Sequence, residues 1–450
     1  MQLSTRKVLD RAFSGLGIMS ILLVAAALLI ILGPIVARGL KAFVFRGTVE
    51  YRLMQFEKFR RGNRAAIEAE AAQARAARQP VYEALERFEA ELQAAGGAKR
   101  RQSREALEEV RAGVRELWGP LPGEVRPTLP RLQYGQTRWD RALIKRGHIL
   151  YAATYDYSDS SRMGAVVLKP RVEQFRGTAL EPLFARLADP KRFAATLRPR
   201  ATFYWRFLTD DSLDAHMFGG IWHEVLGTIY LTLGAMLFAV PMGVIAAIYL
   251  VEYAGEGALI SFLRTCISTL AGVPSIVFGL FGVAFFIGAL HVSPGRSVLA
   301  GSLTLAVLIL PIIIRASEEA LLAVPRTYKE ASLSLGASKW RTVVGVILPA
   351  ALPGVLTGIV ISMGRAAGET APIIFTAAVS WGAAPALWQT LTHPTPALPW
   401  NIYNLATEHA QVEEIRHVQY GMVLTLVVLV LLLNLTAIYL RARISRQLKG

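Results

Sequence analysis

The sequence predicts an all-α polytopic membrane protein that carries a mixed α+β insertion outside the bilayer. Three observations predict it. Of 450 residues, 53% are hydrophobic and the mean hydropathy is +0.39, gathered into a few long apolar runs of the length a bilayer demands. Hydropathy collapses from about Gly47 to His216, between the first run and the rest. A single cysteine, Cys266, rules out an intramolecular disulfide, a zinc cluster and a redox pair, so a large external portion must stand on its apolar core. The net charge of +16, from 49 Lys+Arg against 33 Asp+Glu, comes without a compact basic fold or base-stacking motif. Charges flanking membrane spans explain it better than nucleic-acid binding does.

The first run, Ile18 to Val36, follows Arg6, Lys7 and Arg11 and suits one span of about 20 residues. It is long for the core of a signal peptide, and no small-x-small cleavage site follows before Arg38. Residues 1–46 are therefore read as a cytoplasmic tail and first span, 47–216 as an extracytoplasmic inserted domain, and 217–450 as a core with five more spans. Within the insertion, Phe56 to Leu117 is rich in Ala, Glu, Arg and Gln and reads as helices broken at Gln79-Pro80 and Gly96-Gly97. Val81, Leu85, Phe88 and Leu92 form an apolar stripe on one helical face that must pack on something. Ile149 to Tyr155 and Gly164 to Leu168 read as short strands around a turn at Ser158-Asp159-Ser160-Ser161.

The later spans are expected near Ile221 to Val251, Ile267 to Leu290, Val298 to Arg315, Ala350 to Phe375 and Gly421 to Leu440, six in all with the first. Basic residues orient them: the tail with Arg441, Arg443, Arg446 and Lys449, and the loop with Arg326, Lys329, Lys339 and Arg341, belong on the cytoplasmic side. Counting back puts both termini in the cytoplasm and the insertion in the periplasm.

Between the fourth and fifth spans, in the loop 325–349, stand Glu330-Ala331-Ser332, then Gly336, then Val346-Ile347-Leu348-Pro349. The pattern predicts a short helix, a bend that glycine permits, and a second helix that Pro349 ends or redirects into the membrane. This loop resembles the EAA loop of ABC importer permeases, departing only at Ser332 and Val346. The resemblance extends over the second half of the chain to the PstA-type permeases of bacterial phosphate importers, in their longer members with an N-terminal insertion. Its residues are Gly227-Thr228, Pro241-Met242-Gly243, Glu252-Tyr253-Ala254, Ala271 to Gly279, Leu310-Pro311 with Arg315 and Glu318-Glu319, and Arg365-Ala366 followed by Gly368-Glu369-Thr370-Ala371-Pro372. His223-Glu224 is a more charged pair than that resemblance leads one to expect.

The resemblance implies a six-span type I permease that pairs with a homologous second permease, two ATPase copies and a periplasmic phosphate-binding protein. Glu330, Ala331, Ser332, Gly336, Leu348 and Pro349 would couple to the ATPase. Arg365, Glu369, Thr370 and Arg315 are the expected substrate-path residues. Independently of family, an arginine at membrane depth costs roughly 2.5 to 3.5 kcal/mol and invites a functional role. Counted from Pro349, Arg365 lies near mid-membrane, and its planar fork matches phosphate oxygens. The alternative is that Arg365 only neutralises Glu369, four residues on. Arg315, at the end of its span, can snorkel to the cytoplasmic interface. No Gly-x4-Gly-Lys-Ser/Thr sequence occurs, so ATP is expected to be used by the partner ATPase, with no cofactor in this chain. A permease for another oxyanion or phosphonate is the nearest rival. A membrane sensor is a second, disfavoured because about ten residues after the last span leave no room for an output domain.

Overall fold

The computed structural model of the chain describes residues 3–94, 98–156, 165–255, 257–409 and 411–449. Two compact units emerge, one made of Met1–Ala42 with Arg206–Gly450 and the other of Phe43–Trp205. The second begins four residues earlier and ends eleven residues sooner than the hydropathy boundary at 47–216. Residues 206–216 belong instead with the membrane-length helices, where Phe207 packs against Gly421.

Helix α1 (Leu3–Phe43) is longer than its apolar core and exposes apolar side chains all round, as a membrane span does. Arg38 donates to Tyr420 Oη at 2.6 Å and lies over that ring, which ties α1 to the last helix.

In the second unit, strand β1 (Val44–Gly47) leads into α2 (Val49–Phe59), whose first turn is capped by Thr48. Then come α3 (Arg64–Ala94) and α4 (Ala98–Trp118). The stripe Val81, Leu85, Phe88 and Leu92 is buried in the unit's core with Val110, Val114, Leu117 and Phe175. The expected break at Gln79-Pro80 does not occur, for Pro80 lies inside α3. Arg78, two residues before it, is buried and bonds Glu50 at 2.7 Å and the Thr196 carbonyl at 2.9 Å. Gly96-Gly97 and the turn at 158–161 lie outside the described residues. Short α5 (Pro130–Tyr134) and α6 (Trp139–Leu150) precede an antiparallel pair, β2 (Tyr151–Asp156) with β3 (Ala165–Pro170). Ile149, expected in a strand, ends a helix instead. Helices α7 (Glu181–Ala188) and α8 (Pro190–Leu197) close the core, and β4 (Arg200–Phe203) pairs antiparallel with β1, Val44 opposite Phe203.

Back in the first unit, the two-residue strands β5 (Ser212–Leu213) and β6 (Phe218–Gly219) pair just before α9 (Trp222–Ile248), which a π turn prolongs to Tyr253. The expected third span is not one straight helix. Its place is taken by α10 (Ala258–Ala271) and α11 (Ser275–Gly282, prolonged to Ala289), bent by 102°. Pro274 disfavours helical geometry in the residue before it, so the chain turns at Gly272-Val273. The fourth span, α12 (Val298–Leu322), runs seven residues past Arg315. Helices α13 (Arg326–Ser334) and α14 (Lys339–Thr342) form the loop, and α15 (Leu348–Gly368), α16 (Ala371–Thr376), α17 (Leu398–Thr407) and α18 (Val412–Lys449) follow. Among the described residues, five helices are long and apolar enough to cross a membrane, or six if the bent pair counts as one span.

At the centre α12 packs on both α9 and α15. Gly354 and Gly358 of α15 face Ala320 and Ala316 of α12, where a Cβ on either glycine would collide with the alanine methyl. Small residues four apart let membrane helices approach closely.

Candidate coupling loop and translocation path

The loop between α12 and α14 projects from the helices. No residue of α13 is buried, and Tyr328, Leu333, Leu335 and Trp340 expose large apolar surfaces beside Glu330. Gly336 makes the bend at φ +81°, a left-handed conformation that glycine adopts at little cost. Its surroundings are open, so the constraint there is backbone conformation and not space. Ser332 Oγ and Thr342 Oγ1 join the two arms at 2.9 Å. Lys329 Nζ reaches the nearly buried Glu252 at 2.5 Å, and Lys339 lies over the Tyr253 ring at 4.9 Å. The end of α9 thus anchors the loop from both arms, a role for Glu252-Tyr253 that spacing alone did not reveal. Glu252, Lys329, Glu330 and Leu333 line a cavity of about 410 Å³ under α13.

Pro349 does not end a helix. Lys339–Gly368 is continuous, with a π turn at Val343–Ile347 in which Leu348 N–H bonds back to the Val343 carbonyl. Proline lacks an N–H and crowds the carbonyl four residues back, and the wider turn just before it absorbs both defects. Leu348 and Pro349 therefore sit on the long helix, and Glu330, Ala331, Ser332 and Gly336 on the projecting loop.

The fifth span stops earlier than expected. Its helix ends at Gly368, Glu369 is extended (φ −74°, ψ 129°), and α16 restarts at Ala371 after Thr370. Arg365 and Glu369 still meet, Nε to Oε1 at 3.2 Å, but across a helix end and not along one helical face. The arginine side chain is 40% exposed and the carboxylate 19%. The break packs on α11, where Gly279 lies against Pro372 and Ala371. Thr370 is half-buried and immediately precedes α16, its carbonyl accepting from Ile374 N–H at 3.3 Å. Arg315 engages a different set, Glu318 at 3.8 Å and the Ser268 hydroxyl of α10.

The unexpected pair His223-Glu224 also finds its setting. Glu224 is buried in the first turn of α9, with Oε1 2.8 Å from His216 Nε2 and 3.1 Å from Asn401 Nδ2 of α17, while His223 meets Asp211 at 3.1 Å. Asp214, Ala215 and His216 are three consecutive left-handed residues (φ 52°, 51° and 68°) that deliver the imidazole to this spot. Asn401 lies 177 residues from Glu224, beyond the reach of any spacing rule.

Residues 239–450 match the family described as binding-protein-dependent transport system inner membrane component, and the membrane-length helices among the described residues agree with an integral membrane protein. The chain is 33% identical over 256 residues, covering 54% of itself and 85% of the relative, to the probable ABC transporter permease protein YqgI of Bacillus subtilis. It is 36% identical over 247 residues to phosphate transport system permease protein PstA 1 of Mycobacterium tuberculosis (54% of this chain, 78% of the relative). Over 220 residues it is 36% identical to phosphate transport system permease protein PstA of Yersinia pestis (49% and 71%). The chain belongs to this family of inner membrane components and, within it, to the PstA-type permeases.

Proposed function

We propose that this chain is the transmembrane permease subunit of an ATP-driven importer of inorganic phosphate. The observation that carries the reading is the likeness to relatives named phosphate transport system permeases, together with an arginine and a carboxylate paired at the break of the fifth span. The chain lies in the bacterial inner membrane with both termini in the cytoplasm and the unit from 43 to 205 in the periplasm. It pairs with a homologous second permease, docks two copies of an ATPase through Glu330 to Gly336 and the start of the helix carrying Leu348 and Pro349, and receives phosphate from a periplasmic binding protein. ATP is hydrolysed by the partner, and this chain holds no cofactor. Arg365, Glu369, Thr370 and Arg315 line the path. The arginine fork suits a tetrahedral oxyanion in two-point contact.

Uptake of labelled phosphate and labelled phosphonate in a strain lacking its own phosphate permease, complemented by this chain with its partner subunits, tests the substrate. Phosphate uptake should return and phosphonate uptake should not. Recovery of phosphonate alone would move the chain to the rival class.

A further inference from the structure

We propose that Arg264 and Arg315 form a binding site for a phosphate-type oxyanion, built over the buried carboxylate of Glu318. Arg264 stands on α10 and was singled out by no motif. Its Nη2 donates to the Leu250 carbonyl at 3.0 Å, at the end of α9 and two residues before the loop anchor Glu252. Its Nε is 3.5 Å from Glu318 Oε1, while Arg315 Nη1 is 3.8 Å from Glu318 Oε2. The Arg315 Nη2 reaches the Ser268 hydroxyl and the Arg264 carbonyl. One carboxylate, 6% exposed, is thus shared by two guanidiniums that are 41% and 44% exposed.

The charges do not cancel. Two cations face one anion, at separations longer than a good hydrogen bond, so Glu318 holds the two forks together without saturating them. Glu319, one turn beyond Arg315, makes no ion pair among the described residues. A guanidinium has five N–H donors, and those not spent on Leu250, Ser268 and the Arg264 carbonyl remain for a ligand. An unbalanced positive charge on membrane-length helices is costly, and an oxyanion offsets it while accepting from both forks. Hydroxyls stand on the same helix: Thr265, Ser268 and Thr269 are exposed on α10, a helix with no buried residue, and each hydroxyl donates to the carbonyl four residues back. A hydroxyl used in that way keeps its oxygen free only as an acceptor, so the donors that hold the anion are the arginines.

The oxyanion comes either from the transported phosphate or from the headgroup phosphate of an anionic lipid, and the first source rests on the function proposed above. The complex is reconstituted with its partner subunits into vesicles of phosphatidylcholine alone, or of phosphatidylcholine with phosphatidylglycerol. Vmax and KM for ATP-driven uptake of labelled inorganic phosphate, and the thermal midpoint of the complex, are measured for wild type, Arg264→Gln, Arg315→Gln and Arg264→Lys. If transported phosphate is the ligand, both glutamine variants lose at least about tenfold in Vmax in either lipid, roughly what one charge-assisted hydrogen bond is worth. Arg264→Lys then stays low as well, because an ammonium lacks the fork. If a headgroup is the ligand, phosphatidylglycerol raises the wild-type thermal midpoint and both glutamine variants lose that rise, while Arg264→Gln keeps the wild-type Vmax in phosphatidylcholine. Should a glutamine variant fail to assemble, Arg264→Lys keeps the charge and carries the same readouts. Glutamine variants that match wild type in Vmax and in the lipid-dependent rise overturn the site. A wild-type complex that moves no phosphate in either lipid refutes the proposed function, and the lipid readout then decides the site alone.

Discussion

Arg365 holds Glu369 through a single contact at 3.2 Å while 40% of its side chain stays exposed. Ion pairs that open to solvent contribute roughly 0 to 1 kcal/mol, whereas hydrogen bonds to a charged group contribute about 1.5 to 3 kcal/mol each. Under the proposed function, a two-point contact with phosphate outcompetes the resting pair, and the carboxylate reclaims the arginine once the anion leaves. Arg365→Gln should leave assembly with the ATPase intact and abolish phosphate uptake, and Arg365→Lys should recover little of it. The double variant Arg365→Gln with Glu369→Gln should assemble and remain inactive. Near-normal transport by that double variant would mean that the pair only neutralises itself, and Arg315 would be tested next. The pair was legible in the sequence because four-residue spacing brings side chains together. That the helix ends between them was not legible. Gly368 and Pro372 flank the break, but both also occur inside membrane helices, so neither marks an end by itself. The His216, Glu224 and Asn401 group was illegible for another reason: its members come from a left-handed loop, a first helical turn and a helix far along the chain.

Elements read from periodicity fared differently from those read from hydropathy. The stripe from Val81 to Leu92 was set by three- and four-residue spacing and is buried as that spacing requires. Hydropathy, by contrast, reports composition and is blind to direction, so the 102° turn between α10 and α11 could not be seen in it. Of the two outcomes expected at Pro349, an end to the helix does not occur, because the turn before it widens, and nothing in the sequence announces the π turn at Val343–Ile347. Gly336 sits in open surroundings with a left-handed backbone, so two substitutions separate two effects. Gly336→Ala adds only backbone strain, about 1 to 2 kcal/mol, and should weaken coupling mildly. Gly336→Trp adds the same strain and a bulky group on the docking face, and should abolish ATPase co-purification and phosphate uptake while the protein still reaches the membrane. If both survive Gly336→Trp, the loop is not the docking element.

For the whole molecule, the proposed orientation rests on basic residues at 326, 329, 339 and 341 and in the C-terminal tail. The same alternation fixes every span, so one accessibility measurement tests all of them. A cysteine at Ser103, in a Cys266→Ser background because Cys266 is exposed, should react with an impermeant thiol reagent in spheroplasts. Reaction only after the inner membrane is permeabilised would invert the topology. The division into two units was visible as a fall in hydropathy, but its edges were not, since residues 206–216 are polar in sequence and nevertheless pack with the membrane-length helices.

The central claim, that this chain forms a phosphate path driven by a partner's ATP hydrolysis, is tested most directly in proteoliposomes containing the chain, its second permease and the ATPase, with the periplasmic binding protein supplied on the substrate side. Labelled phosphate should accumulate only when ATP is present on the ATPase side and this chain is included, and Arg365→Gln should stop accumulation while the complex stays assembled. Accumulation that is undiminished when this chain is omitted, or no ATP-dependent accumulation from the fully assembled wild-type complex, would contradict the account.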